Sequence, residues 1–505
     1  MSHNTVNNEQ YFNTDHLKAD LKGRSVRGGA VTIAAQGSRF ILQMGSTVFL
    51  ARLLAPEDFG LIGMVTVIIN FAGMFKDLGL STATIQKAEI NHKQVSTLFW
   101  INFAISTITA FVVAGLAPVV AWFYKEPRLV WITLALASNF IFGGLTVQHQ
   151  ALLKRQMSFT SLAKVEIISM LLGVVSAVIS AWYGLGYWAL VLMQIATAIA
   201  NAVGVWVACS WRPGVPLRGS GIRLMLAFGG NVTGFNLVNY FSRNLDNVLI
   251  GQYRGPQELG LYAVAYKLVL LPIQQINTPI TSVALPALSS LQNEPQKYSK
   301  FYYKAILWIS TLGMPMTGFL MASADKVILV LLGKQWLGAV LIFQLLMPAA
   351  FNATIGVAMG WVYQSLGKVD RQLRWGIVSS IVNVILFLIG VRWGAIGIAA
   401  AYGLSRPIFL VAGFAYCYQG TPLRLIELAK TLLQPALASF GAAVVLIGIN
   451  KLLPPGINDV IALLLDFVLY CLLYFAIWIV LPNGRSTLFE MLEVIKTFRG
   501  KAKRK

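Results

Sequence analysis

From Gly29 to Leu481 the chain alternates between long apolar runs and short polar breaks. A helix rises about 1.5 Å per residue, so roughly 20 apolar residues cross a hydrocarbon core about 30 Å thick. The runs are that long, and they predict an all-α polytopic membrane protein with about fourteen transmembrane helices. Six lie near 30–53, 60–83, 96–119, 129–152, 161–182 and 187–208. Six more lie near 224–250, 259–289, 300–323, 338–365, 373–392 and 395–418, and a last pair near 426–450 and 459–481. A break rich in Pro, Gly and Arg separates the two sets of six. The predicted layout is a cytoplasmic N-terminal segment 1–28, an N-lobe 29–209, an inter-lobe loop 210–223, a C-lobe 224–420, a helix pair 421–482 and a basic tail 483–505.

One stretch occurs twice. VFLARLLAPEDFGL, from Val48 to Leu61, returns as VLIGQYRGPQELGL from Val248 to Leu261, pairing Pro56 with Pro256, Asp58 with Glu258 and Gly60 with Gly260 at a constant offset. In each copy an apolar helix is expected to end and the next to start on Pro followed by an acidic residue. Pro suits a first turn because its missing N–H has no partner there, and a carboxylate suits the positive end of the helix dipole. A repeat of this length marks a duplicated bundle, the plan of many transporters. In the eighth span, Pro272, Pro279 and Pro286 stand seven apart on one face and predict a bent helix, either static or shifting during transport.

Composition agrees with the pattern: 57% hydrophobic, 12% charged and a mean hydropathy of +0.68. The formal charge of +21 does not point to nucleic acid, because Lys and Arg gather in alternate loops. With the N-terminus inside, about 27 of them lie in cytoplasmic loops and tails against about 8 outside, so both termini are expected in the cytoplasm, with the basic loops facing anionic lipid. After the last span, Leu488, Met491, Leu492, Ile495 and Phe498 recur at helical spacing among basic residues, as in a short helix lying on the inner leaflet or a partly ordered basic tail. Cys209, Cys417 and Cys471 show no metal or disulfide spacing. Residues 1–28 carry no apolar core of the signal-peptide type, so the first span is expected to act as an uncleaved insertion signal.

Charges inside spans are costly and usually face water or one another. The predicted set is Arg39, Lys76, Asp77, Arg243, Asp246, Lys267, Arg406 and Asp466. Gln36, Arg39 and Gln43 form one polar stripe on the first helix. Asn236, Asn239, Tyr240, Arg243, Asp246 and Asn247 form a longer one on the seventh, its counterpart in the repeat. The matched stripes predict walls of a shared cavity whose cations, Arg39, Arg243, Lys267 and Arg406, are spread through the membrane's depth. Lys76 with Asp77 and Arg243 with Asp246 also read as self-neutralising structural pairs, and Asp466 reads as packing or a lipid-interface residue. Asp77 and Asp246 are candidate ion-coupling carboxylates.

No Walker loop or H-E-x-x-H is present, the four histidines are scattered, and no metal or cofactor is expected. The G-x-G-x-x-A match at Gly184–Ala189 lies in a turn between spans with no strand before it, so a dinucleotide site is not expected. A membrane-bound polymerase or ligase would need acid/base groups on a sizeable outer loop, and none is seen. A transport-inactive scaffold would tolerate loss of charge at Arg39 and Arg243.

ARLLAPEDFGL from Ala51, FKDLGLSTATIQK from Phe75, NYFSRNLDNVLIG from Asn239 and LPALSSLQ from Leu285 resemble the polysaccharide repeat-unit flippases of the Wzx type, in their colanic-acid and teichuronic-acid branch. The resemblance implies the fourteen-helix fold of the multidrug/oligosaccharidyl-lipid/polysaccharide exporter superfamily in a bacterial cytoplasmic (inner) membrane. It implies a transporter, not an enzyme, whose substrate is an undecaprenyl-pyrophosphate-linked oligosaccharide, with polysaccharide polymerase or export machinery as further partners. Arg39 matches the first-helix arginine that holds pyrophosphate in related flippases, and Arg243 has a comparable position in the second lobe. The neighbouring Gln, Asn and Tyr residues suit sugar hydroxyls. A cation-coupled multidrug exporter of the same fold is the alternative, and it would call for an acidic or apolar cavity.

Overall fold

A computed structural model describes residues 11–12, 21–77, 79–87, 89–216, 223–452, 458–482, 484–490 and 493, excluding the side chains of 21–27, 30, 83, 223–239 and 241–243. The chain runs through helices α1 (Leu21–Leu53), α2 (Pro56–Gly73), α3 (Leu80–Gln86), α4 (His92–Tyr124), α5 (Leu129–Arg155), α6 (Phe159–Trp182) and α7 (Trp188–Ala208). It continues through α8 (Arg223–Ser290), α9 (Pro295–Ala322), α10 (Ala324–Leu331), α11 (Ala339–Ser365), α12 (Val369–Gly390), α13 (Gly394–Tyr418), α14 (Leu425–Leu452) and α15 (Asp459–Val480). Among the described residues there is no strand.

Ten helical stretches are long and apolar enough to cross a membrane among the described residues. Two of them, Asn244–Ser290 and Val369–Tyr418, hold 47 and 50 residues. At about 1.5 Å per residue each exceeds twice the ~30 Å core, which is length for two crossings. The first is broken at Gly255 (φ 83°, ψ −176°), the residue before Pro256, where a following proline disfavours helix and only glycine takes that φ without strain. Helical dihedrals continue across Pro272, Pro279 and Pro286. The second stretch passes through the 3₁₀ turn Val391–Trp393. Of the predicted tail helix, 484–490 is helical, and Met491, Leu492, Ile495 and Phe498 lie outside the described residues.

The second predicted span, 60–83, is not one helix. It stops at Gly73, turns through 74–77, and restarts as α3. The cause is local: Asp77 takes the Ser81 backbone N–H at 2.8 Å and the Ser81 hydroxyl, offering the chain a cap instead of a continuous ladder. Gly79 supplies the positive φ of 74°. At the far end, Arg155 donates to the carbonyls of Thr84 (3.1 Å) and Lys87 (2.6 Å), satisfying carbonyls that the short helix leaves open. Behind the break, Thr84 donates to Gln148 and Gln148 to Asn102, tying α3, α5 and α4 together by buried hydrogen bonds.

The described chain forms two compact units, Met1–Ala263 and Val264–Lys505. In the first, Leu80, Phe99, Leu152, Cys209 and Trp211 make a cluster that seals the start of the 210–216 segment against α4 and α5. Trp211 donates to His92 Nδ1 and the Gly214 N–H to Ser96, so this segment is docked rather than looped out. In the second unit one cluster centres on Tyr302, Ile306, Trp361 and Phe414. A smaller one, with Ala438, Tyr470 and Trp478, joins α14 to α15.

The duplicated motif meets itself inside the first unit. A Cβ on Gly60 would come within 1.7 Å of the Pro256 carbonyl oxygen, and one on Gly260 within 1.8 Å of the Pro56 carbonyl oxygen. The two copies therefore cross backbone on backbone with a reciprocal contact, as related halves would. Asp58 caps α2 by accepting the Ala55 N–H at 2.9 Å.

Candidate functional site

Arg39 lies on α1, which packs along α6. Its Nη1 donates to Glu166 Oε2 at 2.6 Å, and the two side chains stay 39% and 38% exposed. At about 100° per residue the exposed Gly37, Ile41 and Gly45 lie about 160–240° around α1 from Arg39. On α6 the exposed Ile168, Leu172, Val175 and Ile179 lie about 180–240° from Glu166, while the buried Leu162, Gly173 and Ala177 share its side. The pair thus lies on the buried side of α6 and opposite Gly37, Ile41 and Gly45 on α1, yet both side chains stay partly open. Gln36 and Gln43, half-buried, extend the same stripe a turn either way.

Glu166 was absent from the charges picked out in the sequence. It stands early in its span and so passes for an interfacial residue. Its signal is depth: the first and fifth spans both enter from the predicted inner side, and Arg39 and Glu166 stand within a few residues of the same level.

In the second unit Arg406 projects from the middle of α13. Its guanidinium lies 3.9 Å from the Tyr402 ring centroid and 5.2 Å from that of Phe409, and its Nη2 donates to Asn383 Oδ1 at 2.6 Å. No ion pair reaches Arg406 among the described residues, and its buried Nε has no hydrogen-bond partner there. Asn352 donates to the Arg406 carbonyl at 3.0 Å, next to Pro407 inside α13. Tyr402 faces Tyr266, with the hydroxyls 3.5 Å apart, which sets the α8 segment carrying Lys267 against the Arg406 segment.

The remaining predicted residues divide. Tyr240 is tied down, its hydroxyl donating to the Val67 carbonyl at 2.6 Å. Asp246 is buried and takes the Tyr262 hydroxyl at 2.9 Å and the Asn247 N–H at 2.8 Å. The side chains of Asn236, Asn239 and Arg243 lie outside the described residues. Lys76 and Asp77 are not an ion pair among the described residues; Asp77 serves Ser81 and Asn102, and Lys76 lies over Gly143. Asp466 accepts from Lys326 (2.8 Å), Asn450 (3.0 Å) and Ser323 (3.1 Å), a closed cluster that fastens α15.

Among the loops, Arg128 donates to Glu126 Oε1 at 2.7 Å and to Glu57 at 2.5 Å, joining the start of α5 to that of α2. The hydrogen bond from Arg128 holds the Glu126 carboxyl below its usual range, and the two glutamates push the guanidinium up.

Residues 49–341 match the family described as polysaccharide biosynthesis protein. The chain belongs to that family. Among its relatives is the lipopolysaccharide biosynthesis protein WzxC of Escherichia coli, 24% identical over 401 residues, 78% of this chain and 81% of that one. The teichuronic acid biosynthesis protein TuaB of Bacillus subtilis is 25% identical over 384 residues, 75% of this chain and 79% of that one. The lipid II flippase MurJ, in an inward closed conformation, shares the fold at a TM-score of 0.71 with 14% identity, over 93% of this chain and all of MurJ. The family member described here is therefore an all-α polytopic membrane protein of polysaccharide biosynthesis.

Proposed function

We propose that this protein is a flippase that carries an undecaprenyl-pyrophosphate-linked oligosaccharide repeat unit from the inner to the outer leaflet of a bacterial cytoplasmic membrane, for surface or exopolysaccharide synthesis. Arg406 carries the reading. A guanidinium in mid-span, held by an amide and two rings with no carboxylate partner among the described residues, is an expensive charge that a transported anion repays. Its planar fork matches phosphate oxygens. Arg39, Lys267 and Arg243 are the further cations assigned to the pyrophosphate, and Gln36, Gln43, Asn236, Asn239 and Tyr240 to sugar hydroxyls. The membrane potential favours outward passage of an anion by ~2.3 kcal/mol per charge per 100 mV. Asp77 and Asp246 remain the carboxylates proposed for ion coupling. Two lobes, 29–209 and 224–420, the pair 421–482, fourteen crossings and cytoplasmic termini complete the proposal, with a polysaccharide polymerase or export complex as partner.

Deleting the gene should make a lipid-linked oligosaccharide build up on the inner leaflet, and the intact gene should clear it. Arg406→Ala should restore less than about a tenth of export, as expected for loss of a charged hydrogen bond of roughly 1.5–3 kcal/mol. Full export by Arg406→Ala, or drug tolerance conferred without any glycan phenotype, would return the cation-coupled exporter to first place.

A further inference from the structure

We propose that Glu166 is a displaceable counter-ion, which occupies Arg39 between transport cycles and yields it to the incoming phosphate. The inference rests on the flippase reading and adds a residue to it. Two ion pairs that involve a residue of a span show the contrast. Lys326–Asp466 is built to stay: its side chains are 20% and 4% exposed, and Asn450 and Ser323 hold the same carboxylate oxygen. Arg39–Glu166 is about two-fifths exposed on each side, and Arg39 supplies the one hydrogen bond to Glu166 found among the described residues. Such a pair opens without stranding a buried charge.

The chemistry of exchange is direct. A carboxylate oxygen and a phosphate oxygen accept the same guanidinium N–H, and Glu166 engages only one terminal nitrogen, Nη1. A pyrophosphate brings more charge and more oxygens, and it can bond both terminal nitrogens at once. It therefore displaces the carboxylate, which swings into the open space beside it. When the substrate leaves, Glu166 closes on Arg39 again and opposes rebinding. Glu166 thus lowers resting affinity and hastens release. Gln36 and Gln43, a turn to either side, remain available to the rest of the head group.

The test uses the full chain in lipid nanodiscs with farnesyl pyrophosphate as probe, its Kd read by calorimetry, and export measured in the deletion strain. Glu166→Gln should bind the probe at least tenfold more tightly than wild type, yet export at least fivefold more slowly. Glu166→Ala should show the same gain, which covers the case in which one variant does not fold. Glu427→Gln removes an exposed carboxylate paired with Lys430 on α14 and should leave affinity unchanged. Folded Glu166→Gln or Glu166→Ala protein with unchanged or weaker binding overturns the counter-ion role. Arg39→Gln should weaken binding at least tenfold; if it does while the Glu166 variants do nothing, the counter-ion role alone falls. Wild-type binding by Arg39→Gln, or no binding by any form, overturns the reading of Arg39 as a phosphate ligand and this inference with it.

Discussion

Single residues decide how close two helices come. Gly60 and Gly260 are equivalent in the repeat, and each fills a gap that a methyl group would share with a proline carbonyl. Their pairing was legible in the sequence, but their mutual contact was not, because a repeat shows kinship and not adjacency. Gly260→Ala should lower stability by about 1–3 kcal/mol, as overpacking does. Gly448→Ala on α14, where nothing lies within 4 Å, should be neutral or gain up to ~1 kcal/mol of helix propensity. Thermal unfolding in detergent separates the two, and equal melting of both variants would refute the clasp. Glu126 gives a pH signature at the same scale. Arg128 depresses its pKa, so its contribution is fully present above the ordinary glutamate value of about 4.3 and is lost as pH falls below it. Because Arg128 is partly exposed, the loss should be modest, up to about 1 kcal/mol. Glu126→Gln should melt lower than wild type at pH 7, and the gap should close as pH falls below the ordinary glutamate value.

Helices and their breaks were legible to different degrees. Hydropathy placed the apolar runs well because lipid imposes one length and one solvent on each of them. It missed the interruption of the second span, where a short polar side chain caps the next helix. It read Asp466 as packing or a lipid-interface residue and named no partner for it, since Lys326 lies 140 residues away on a short helix outside the apolar runs. That cluster now makes a prediction about a whole element. Lys326→Met leaves a buried carboxylate without its cation and should cost about 3–5 kcal/mol, whereas Lys326→Met with Asp466→Leu should recover most of it. A thermal-shift double-mutant cycle reads the coupling. Additive losses would mean that the pair does not fasten α15 as its geometry implies.

At the scale of the molecule, orientation depends on charge placement rather than on any packing contact. Of the 40 Lys and Arg residues, those outside the spans divide about 27 to 8 in favour of one set of alternate loops, and such a bias sets which side faces the cytoplasm. The same orientation gives the site its direction. In the proposed orientation Glu166 stands toward the inner end of α6, the side from which the proposed substrate would come, while Arg39 stands near the middle of α1 and Arg406 near the middle of α13. In the proposal, the displaceable counter-ion belongs to the first unit, and the cation without a carboxylate partner among the described residues belongs to the second. Fluorescent-protein and alkaline-phosphatase fusions after Lys505 check this directly. The first should glow and the second should be inactive, and both should reverse for a fusion in the turn at Gly184. Phosphatase activity at the C-terminus would invert the proposed orientation, turn the Glu166 end of α6 to the outer side and make outward transport of a phosphate-bearing lipid the wrong direction for the proposed arrangement.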